Sequence, residues 1–364
     1  MSLPNLLVLG ALALTGAAAP SAAASRPGGP QGPAHEVRVQ LDSAYRQVIV
    51  TVGPFRVERT MAMSEDMMML MHGQDSVVGV FAWPVTAWFR AIRLEIVDAQ
   101  GNALPRSIMH HMNVMNFDRR QLVYPIVERL VGFGHETSDM SVPASIGMPV
   151  QRGHRIGIVV MWHNDTDQDV EGAYLRLTFR LNPRRQTPRP MTVLPFFVDA
   201  HLVPGGVNTF DVPPGGHTQA YEFTLPISGH LLAVGGHIHE HGAWIRLEEA
   251  GTGRDIVTIH AQRDAQGQVL SVSRALLGVW GEGPHLRAGR RYRLLVRYDN
   301  PTNDTLQGMM GLMAGIFAPD DLRRWPALDR TDPAYLADLA NLPGSDMGSE
   351  RVVEGSRAGQ PARD

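Results

Sequence analysis

The chain has 364 residues, 44% hydrophobic and 19% charged, a core-forming composition long enough for two domains. Its formal charge is −3, from 33 Lys+Arg against 36 Asp+Glu, so charge gives no ground for a nucleic-acid partner or an acidic membrane surface. Cysteine is absent, which excludes disulfides, thiolate nucleophiles, Cys-zinc sites, blue-copper centres and iron–sulfur clusters, and leaves 15 His and 18 Met as candidate metal ligands.

Leu6 to Ala19 (LLVLGALALTGAAA) is an apolar run shorter than the ~20 residues that span a bilayer, and Ala22-Ala23-Ala24 follows it with small residues suited to cleavage. Residues 1–24 therefore read as an export signal, and the mature protein is expected to be secreted or periplasmic. No Lys or Arg precedes the run, and a plain Ala-rich leader is the alternative. No other segment approaches membrane length.

From Glu36 onward the pattern is strand-like. Glu36 to Val52 alternates apolar and polar residues, Ala91 to Val97 runs into a turn at Asp98 to Asn102, and Ile156 to Trp162 and Ala173 to Leu181 are further short strands. Residues 182–190 (NPRRQTPRP) are rich in proline and arginine and mark a linker. Strands resume at Val193 and continue past Tyr221, Leu231, Trp244, Ile256, Arg291 and Gly311, divided by turns such as Pro213 to Gly216 and Gly251 to Gly253. The expected fold is all-β. It comprises two tandem jelly-roll-like β-sandwiches, 36–181 and 191–319, followed by a tail, 320–364, that is first helical and then disordered. Asp332-Pro333 supplies the N-cap and first position of that helix, and Pro343-Gly344 ends it. No internal repeat stands out.

Four clusters carry metal-binding residue types: His110-His111-Met112; Trp162-His163 at the end of an apolar strand; Gly236-His237-Ile238-His239; and Gly308-Met309-Met310-Gly311. In an extended strand residues i and i+2 share a face about 6.5–7 Å apart, so His237 and His239 can converge on one ion. Adjacent residues face opposite ways, so His110 and His111 can share an ion only at a bulge, an edge or a bend. An isolated H-x-H is more often a surface pair, a single strand-end histidine is more often satisfied locally, and methionine on a strand is by default core filler. The Met-rich run 61–71 reads either as adaptable packing surface or as a handler of Cu(I), an ion suited by thioethers. Asp165, Asp167 and Asp169 lack the glycine and closing glutamate of an EF-hand and read as a solvated turn.

Taken in order, HHM, a strand-end histidine, H-x-H and GMMG resemble the type II copper, ascorbate-dependent monooxygenases, the group of peptidylglycine alpha-hydroxylating monooxygenase and dopamine beta-monooxygenase, and resemble its bacterial branch more closely. The resemblance covers roughly residues 36–319. It implies two copper ions per chain: one on His110, His111 and His163 in the first sandwich, the other on His237, His239 and Met310 in the second. Met309 is an off-by-one alternative, Met313 a weaker one, and His241 has no certain counterpart. It implies hydroxylation of a C–H bond of a small-molecule substrate by O₂, with an external reductant such as ascorbate recharging both metals. There are departures. Gly235 and Gly236 stand where the peptide-hydroxylating member has an arginine for the substrate carboxylate, and Gly311 to Ala314 lack its substrate-gripping tyrosine and asparagine. Peptide amidation is therefore not expected. Two other readings stand beside the enzyme: a copper-binding protein for storage, delivery or sensing, and a ligand-binding double sandwich whose histidines hold zinc or nothing.

Overall fold

The computed structural model describes residues 35–342 apart from 45, 60–75, 135–138, 165, 184–185, 207 and 279–281. The expected export signal, the Met-rich run 61–71 and the end of the tail lie outside the described residues. The first half contains β1 (Glu36–Asp42), β2 (Gln47–Val57), β3 (Ser76–Ala82), β4 (Ala87–Val97), β5 (Met109–Arg120), β6 (Val127–Gly134), β7 (Met140–Ser141), β8 (Ile146–Val150), β9 (Arg155–Trp162), β10 (Val170–Leu181) and β11 (Met191–Thr192). The second half contains β12 (Leu194–Asp199), β13 (Phe210–Val212), β14 (Gly215–Thr224), β15 (Gly229–Ile238), β16 (Gly242–Glu249) and β17 (Arg254–Arg263). It continues with β18 (Val269–Val272), β19 (Ala275–Leu276), β20 (His285–Leu286), β21 (Arg291–Asn300), β22 (Leu306–Met309) and β23 (Gly311–Pro319), and α1 (Pro333–Ala340) follows.

Strand order makes each half a jelly roll. One sheet of the first half runs β2-β10-β4-β8 and the other β3-β9-β5-β6. Counting these strands in chain order, the sheets read first-eighth-third-sixth and second-seventh-fourth-fifth. The second half repeats both orders, as β12-β23-β15-β19 and β14-β21-β16-β17. The all-β double sandwich read from the sequence is the fold observed.

Each sandwich encloses its own core. Val48, Val50, Ile92, Met112, Ile158, Leu175 and Phe179 are fully buried in the first; Val198, Leu231, Ile245, Leu294, Val296 and Phe317 are fully buried in the second. Each such side chain contributes about 1.5–3 kcal/mol of apolar transfer free energy. Alternation along β10 delivers Leu175, Leu177 and Phe179 to that core, whereas β9 is buried along most of its length because it packs on both faces. Its Ile158 and Val160 face the first core, and Val159 faces a third cluster with Met115, Phe117 and Tyr335.

That third cluster is built by the tail. Asp332 caps α1 by accepting from the Ala334 N–H at 2.8 Å, with Pro333 at the first turn. The helix lies on β6, where Asp338 pairs with Arg129 at 2.6 Å and accepts the Val127 N–H at 3.0 Å. Asn182 and Gln186 are likewise held to the first sandwich. Asn182 donates to the carbonyls of Ala144 and Ile146, and β11 then pairs in parallel with β8.

Between the sandwiches, the Tyr124 hydroxyl donates to the Asp199 carbonyl at 3.1 Å and lies 3.0 Å from the Asp199 N–H, from which it accepts. The Asp199 side chain is itself buried and accepts the His201 N–H. Burial pushes its carboxyl up to about 7, against the opposing pull of that N–H and of Arg129. Folding therefore favours the protonated acid. Its stabilising contribution is full below the unfolded value near 3.9 and is lost as pH rises through about 7. Asp199→Asn keeps an oxygen for His201, so the melting temperature of the parent is expected to fall more steeply than the variant's between about pH 4 and 7. Parallel slopes in a thermal-melting series would contradict this.

Candidate metal centres

The first candidate set depends on a bulge. On β5, Met109 lies opposite Trp162 of β9 and His111 lies opposite Met161, so His110 is an extra residue in that strand. Met109 and Met112 are both fully buried in the first core, although unbroken alternation would turn residues three apart to opposite faces. The bulge resolves this and leaves His110 and His111 half-buried, both off the core. His163 follows β9 two residues after Met161, which puts it on the same face as His111, and its N–H donates to the Ile108 carbonyl at 3.2 Å. The ring centres of His110 and His111 are 5.1 Å apart and those of His110 and His163 are 6.3 Å apart. Two imidazoles whose nitrogens sit about 2.0–2.1 Å from one ion have ring centres about 4.5–6.3 Å apart. The first separation is near the tetrahedral value, whereas the second needs a nearly linear N–metal–N angle, and the ligating atoms of the three rings are not all within 4.8 Å of one another.

A loop fixes the chain just beyond His163. Asn164 is buried, donates to the carbonyls of Val57 and Gln168, and accepts from the Thr166 N–H and hydroxyl. Asn300 does the same in the second sandwich, donating to Val212 and Asp304 and accepting twice from Thr302. Asn164, Thr166 and Gln168 thus make the same hydrogen bonds as Asn300, Thr302 and Asp304 at matching points of the two jelly rolls, and Asp299 occupies the position of His163. The only sequence trace is Asn-x-Thr, too short to have signalled a repeat.

In the second candidate set, His237 lies opposite Leu312 and Ile238 opposite Gly311 in the β15–β23 pairing. The His239 N–H donates to the Met310 carbonyl at 3.4 Å, extending that register by one pair. Ile238 is buried in the second core, so His237, His239, Leu312 and Met310 share the outer face. The rings of His237 and His239 are 5.1 Å apart and nearly perpendicular, inside the range for a shared ion. Met309 and Met313 face the other way and are buried in the core at 4% and 0% exposure, whereas Met310 is half-buried and outside that core.

Tyr298 locks this end of the sheet. Its hydroxyl donates to the Met310 carbonyl and accepts from the His239 N–H, and burial pushes the phenol up, so it stays protonated. Further along the same outer face, Leu232, Ile316 and Ala318 pack against the first sandwich's core. One half of the face therefore carries histidines while the other is covered. His241 is held separately, in a left-handed conformation (φ 60°) with its N–H on the Gly267 carbonyl. A Cβ on Gly267 would lie 2.2 Å from the His241 ring, so this turn needs glycine there.

Among the described residues, one trio of His, Asp or Glu brings its ligating atoms within 4.8 Å of one another, and it is neither of these sets: it is His230, His285 and Asp320. Sequence reasoning missed it because the three are far apart in the chain and none lies in a motif.

No family model and no curated protein matches the chain. Among solved structures it is similar to the STIV major capsid protein, at 12% identity over 82% of this chain and 99% of that one, with a TM-score of 0.38. It is also similar to the major capsid protein P2 of bacteriophage PM2, at 12% identity over 68% and 95%, with a TM-score of 0.35. A third is PNGase F, a glycosylasparaginase from Flavobacterium meningosepticum, at 9% identity over 74% and 95%, with a TM-score of 0.34. Likeness at this level carries no argument, and the jelly-roll assignment rests on the strand orders themselves. Among the described residues no helix is long and apolar enough to cross a membrane.

Proposed function

We propose that this is an exported copper protein with one ion in each sandwich, acting as a monooxygenase on a small molecule at the expense of O₂ and an external reductant such as ascorbate. The observation that supports the reading is that the candidate ligands of each sandwich share a sheet face, by a bulge at His110 and by register at His239 and Met310. The donor sets fit copper. Three imidazoles serve either oxidation state, and two imidazoles with a thioether favour the reduced ion. Bound there, copper would supply the oxygen chemistry at His237, His239 and Met310 and a second electron from His110, His111 and His163. The chain's own part is positional: Tyr298 holds the backbones of His239 and Met310 in register, and the Asn164 turn sets the exit of the chain from His163.

The second reading, a copper-binding protein without turnover, is favoured by the outer face beside His237. That face offers Gly235, Leu312 and Ala314, none with a polar side chain, and the stem of Arg274 lies 3.6 Å from where a Gly235 Cβ would stand. The test is copper content together with reductant-dependent O₂ consumption across a broad compound set. The enzyme reading expects about two coppers and substrate-dependent uptake above the free-copper background. Two coppers without such uptake would favour the binding protein, and zinc preferred over copper at both sites, or no metal, would overturn both.

A further inference from the structure

We infer a third metal site, for a zinc-like divalent cation, on His230, His285 and Asp320; it does not rest on the copper reading. Strand pairing puts the three on one face. His230 of β15 lies directly opposite His285 of β20 and, on its other side, opposite Ala318 of β23; Asp320 follows two residues later, on the face of Ala318. The Asp320 N–H donates to the Ser228 carbonyl at 3.0 Å, which fixes the backbone that carries the carboxylate.

The donor geometry matches an ion. The two imidazole ring centres are 4.7 Å apart. His230 Nδ1 lies 2.8 Å from the Gly283 carbonyl and can only donate to it, which leaves Nε2 as that ring's lone-pair nitrogen. A backbone carbonyl on the far nitrogen is the usual support of a metal-bound histidine. His285 Nε2 and Asp320 Oδ2 are 2.8 Å apart, sharing a proton. Two donors on one ion stand about 3.0–3.4 Å apart, so an ion can replace that proton with little movement. Their side chains are 38% and 46% exposed, which gives the ion a path and the ligands freedom to close.

Two imidazoles and a carboxylate with no sulfur donor suit Zn²⁺ and its neighbours rather than Cu(I). The consequence is structural. β20 pairs with β15 through Gly229 and His230, with Leu286 buried in the second core, and an ion would add a tie from His285 to β15 and to the end of β23. His230 is also two residues from Leu232, which packs against the first sandwich, so the clamp would sit at the margin of that contact.

Cobalt(II) and zinc(II) titrations of the full chain test this. The parent is expected to bind one more equivalent of cobalt, seen by visible absorption, than Asp320→Asn or His285→Ala, with affinity at that site reduced about 10-fold or more in Asp320→Asn. Zinc should raise the melting temperature of the parent more than that of either variant. Asp320→Asn retains the backbone bond to Ser228 and serves if His285→Ala folds poorly. Equal stoichiometry and equal zinc-induced shifts in the parent and Asp320→Asn would overturn the site and leave a simple His–Asp surface pair.

Discussion

Under the proposed copper function, replacing His239 with alanine is expected to remove the second copper and with it all reductant-dependent O₂ consumption, whereas His163→Ala should leave that copper bound and still stop sustained turnover. His239 supplies one of the two imidazoles on the outer face of β15, and its ring lies 5.1 Å from that of His237. With one imidazole and one thioether left, affinity should drop by well over the 10–100-fold typical of losing a mere supporting contact. His163 belongs to a different sandwich, its ring 6.3 Å from that of His110, and under the proposed roles its loss would loosen the electron-supplying metal alone. Both variants should fold. Both residues are half-buried, off the cores, and use their backbone N–H groups, which alanine keeps, in the bonds to Ile108 and Met310. Copper content and oxygen uptake measured on the same samples decide the matter. Retained second-site copper in His239→Ala, or undiminished turnover in His163→Ala, would refute the assignment of roles.

The double sandwich was readable because its signals are local. Period-two alternation marked β1, β2 and β10, and the Asp332-Pro333 pair marked the start of α1, where the cap is made as expected. What escaped the sequence is non-local. Nothing near Asp338 announces that it pairs with Arg129, 209 residues away, and so folds the tail onto β6. The parallel pairing of Met191-Thr192 with β8 is equally silent, because two residues carry no period.

The candidate centres divide along the same line. His237 and His239 need only the strand period to share a face, and the residues between and around them already state it. His110 and His111 need a bulge, and a bulge belongs to the pairing of two strands rather than to either sequence, so the adjacent pair stayed ambiguous until β9 was in place. His230, His285 and Asp320 are the extreme case. Their proximity is a product of sheet order alone, the β20–β15–β23 neighbourhood, which single-chain spacing does not encode.

The methionines supply the second large effect, because register makes Met309 and Met310 fail in different ways. Met309 is 4% exposed in the second core and lies opposite Phe210 in the β13–β22 pair. Met309→Ala should therefore cost about 2–5 kcal/mol of stability, as buried Met-to-Ala truncations do, while leaving any copper–sulfur bond intact. Met310 sits on the opposite face, beside His239, outside the core. Met310→Ala should leave the melting temperature nearly unchanged, since Tyr298 and His239 bind its backbone carbonyl rather than its side chain. The loss should fall on the metal instead. X-ray absorption of the reduced protein should lose its copper–sulfur component, and Cu(I) should weaken at the second site far more than at the first. Denaturant unfolding and absorption spectra of both variants separate the outcomes. A copper–sulfur signal that disappears with Met309 and survives without Met310 would move the ligand to the core face. One that survives both substitutions would take Met309 and Met310 out of the proposed site and leave Met313 as the sulfur donor, whereas a parent protein with no copper–sulfur signal would take the thioether out altogether.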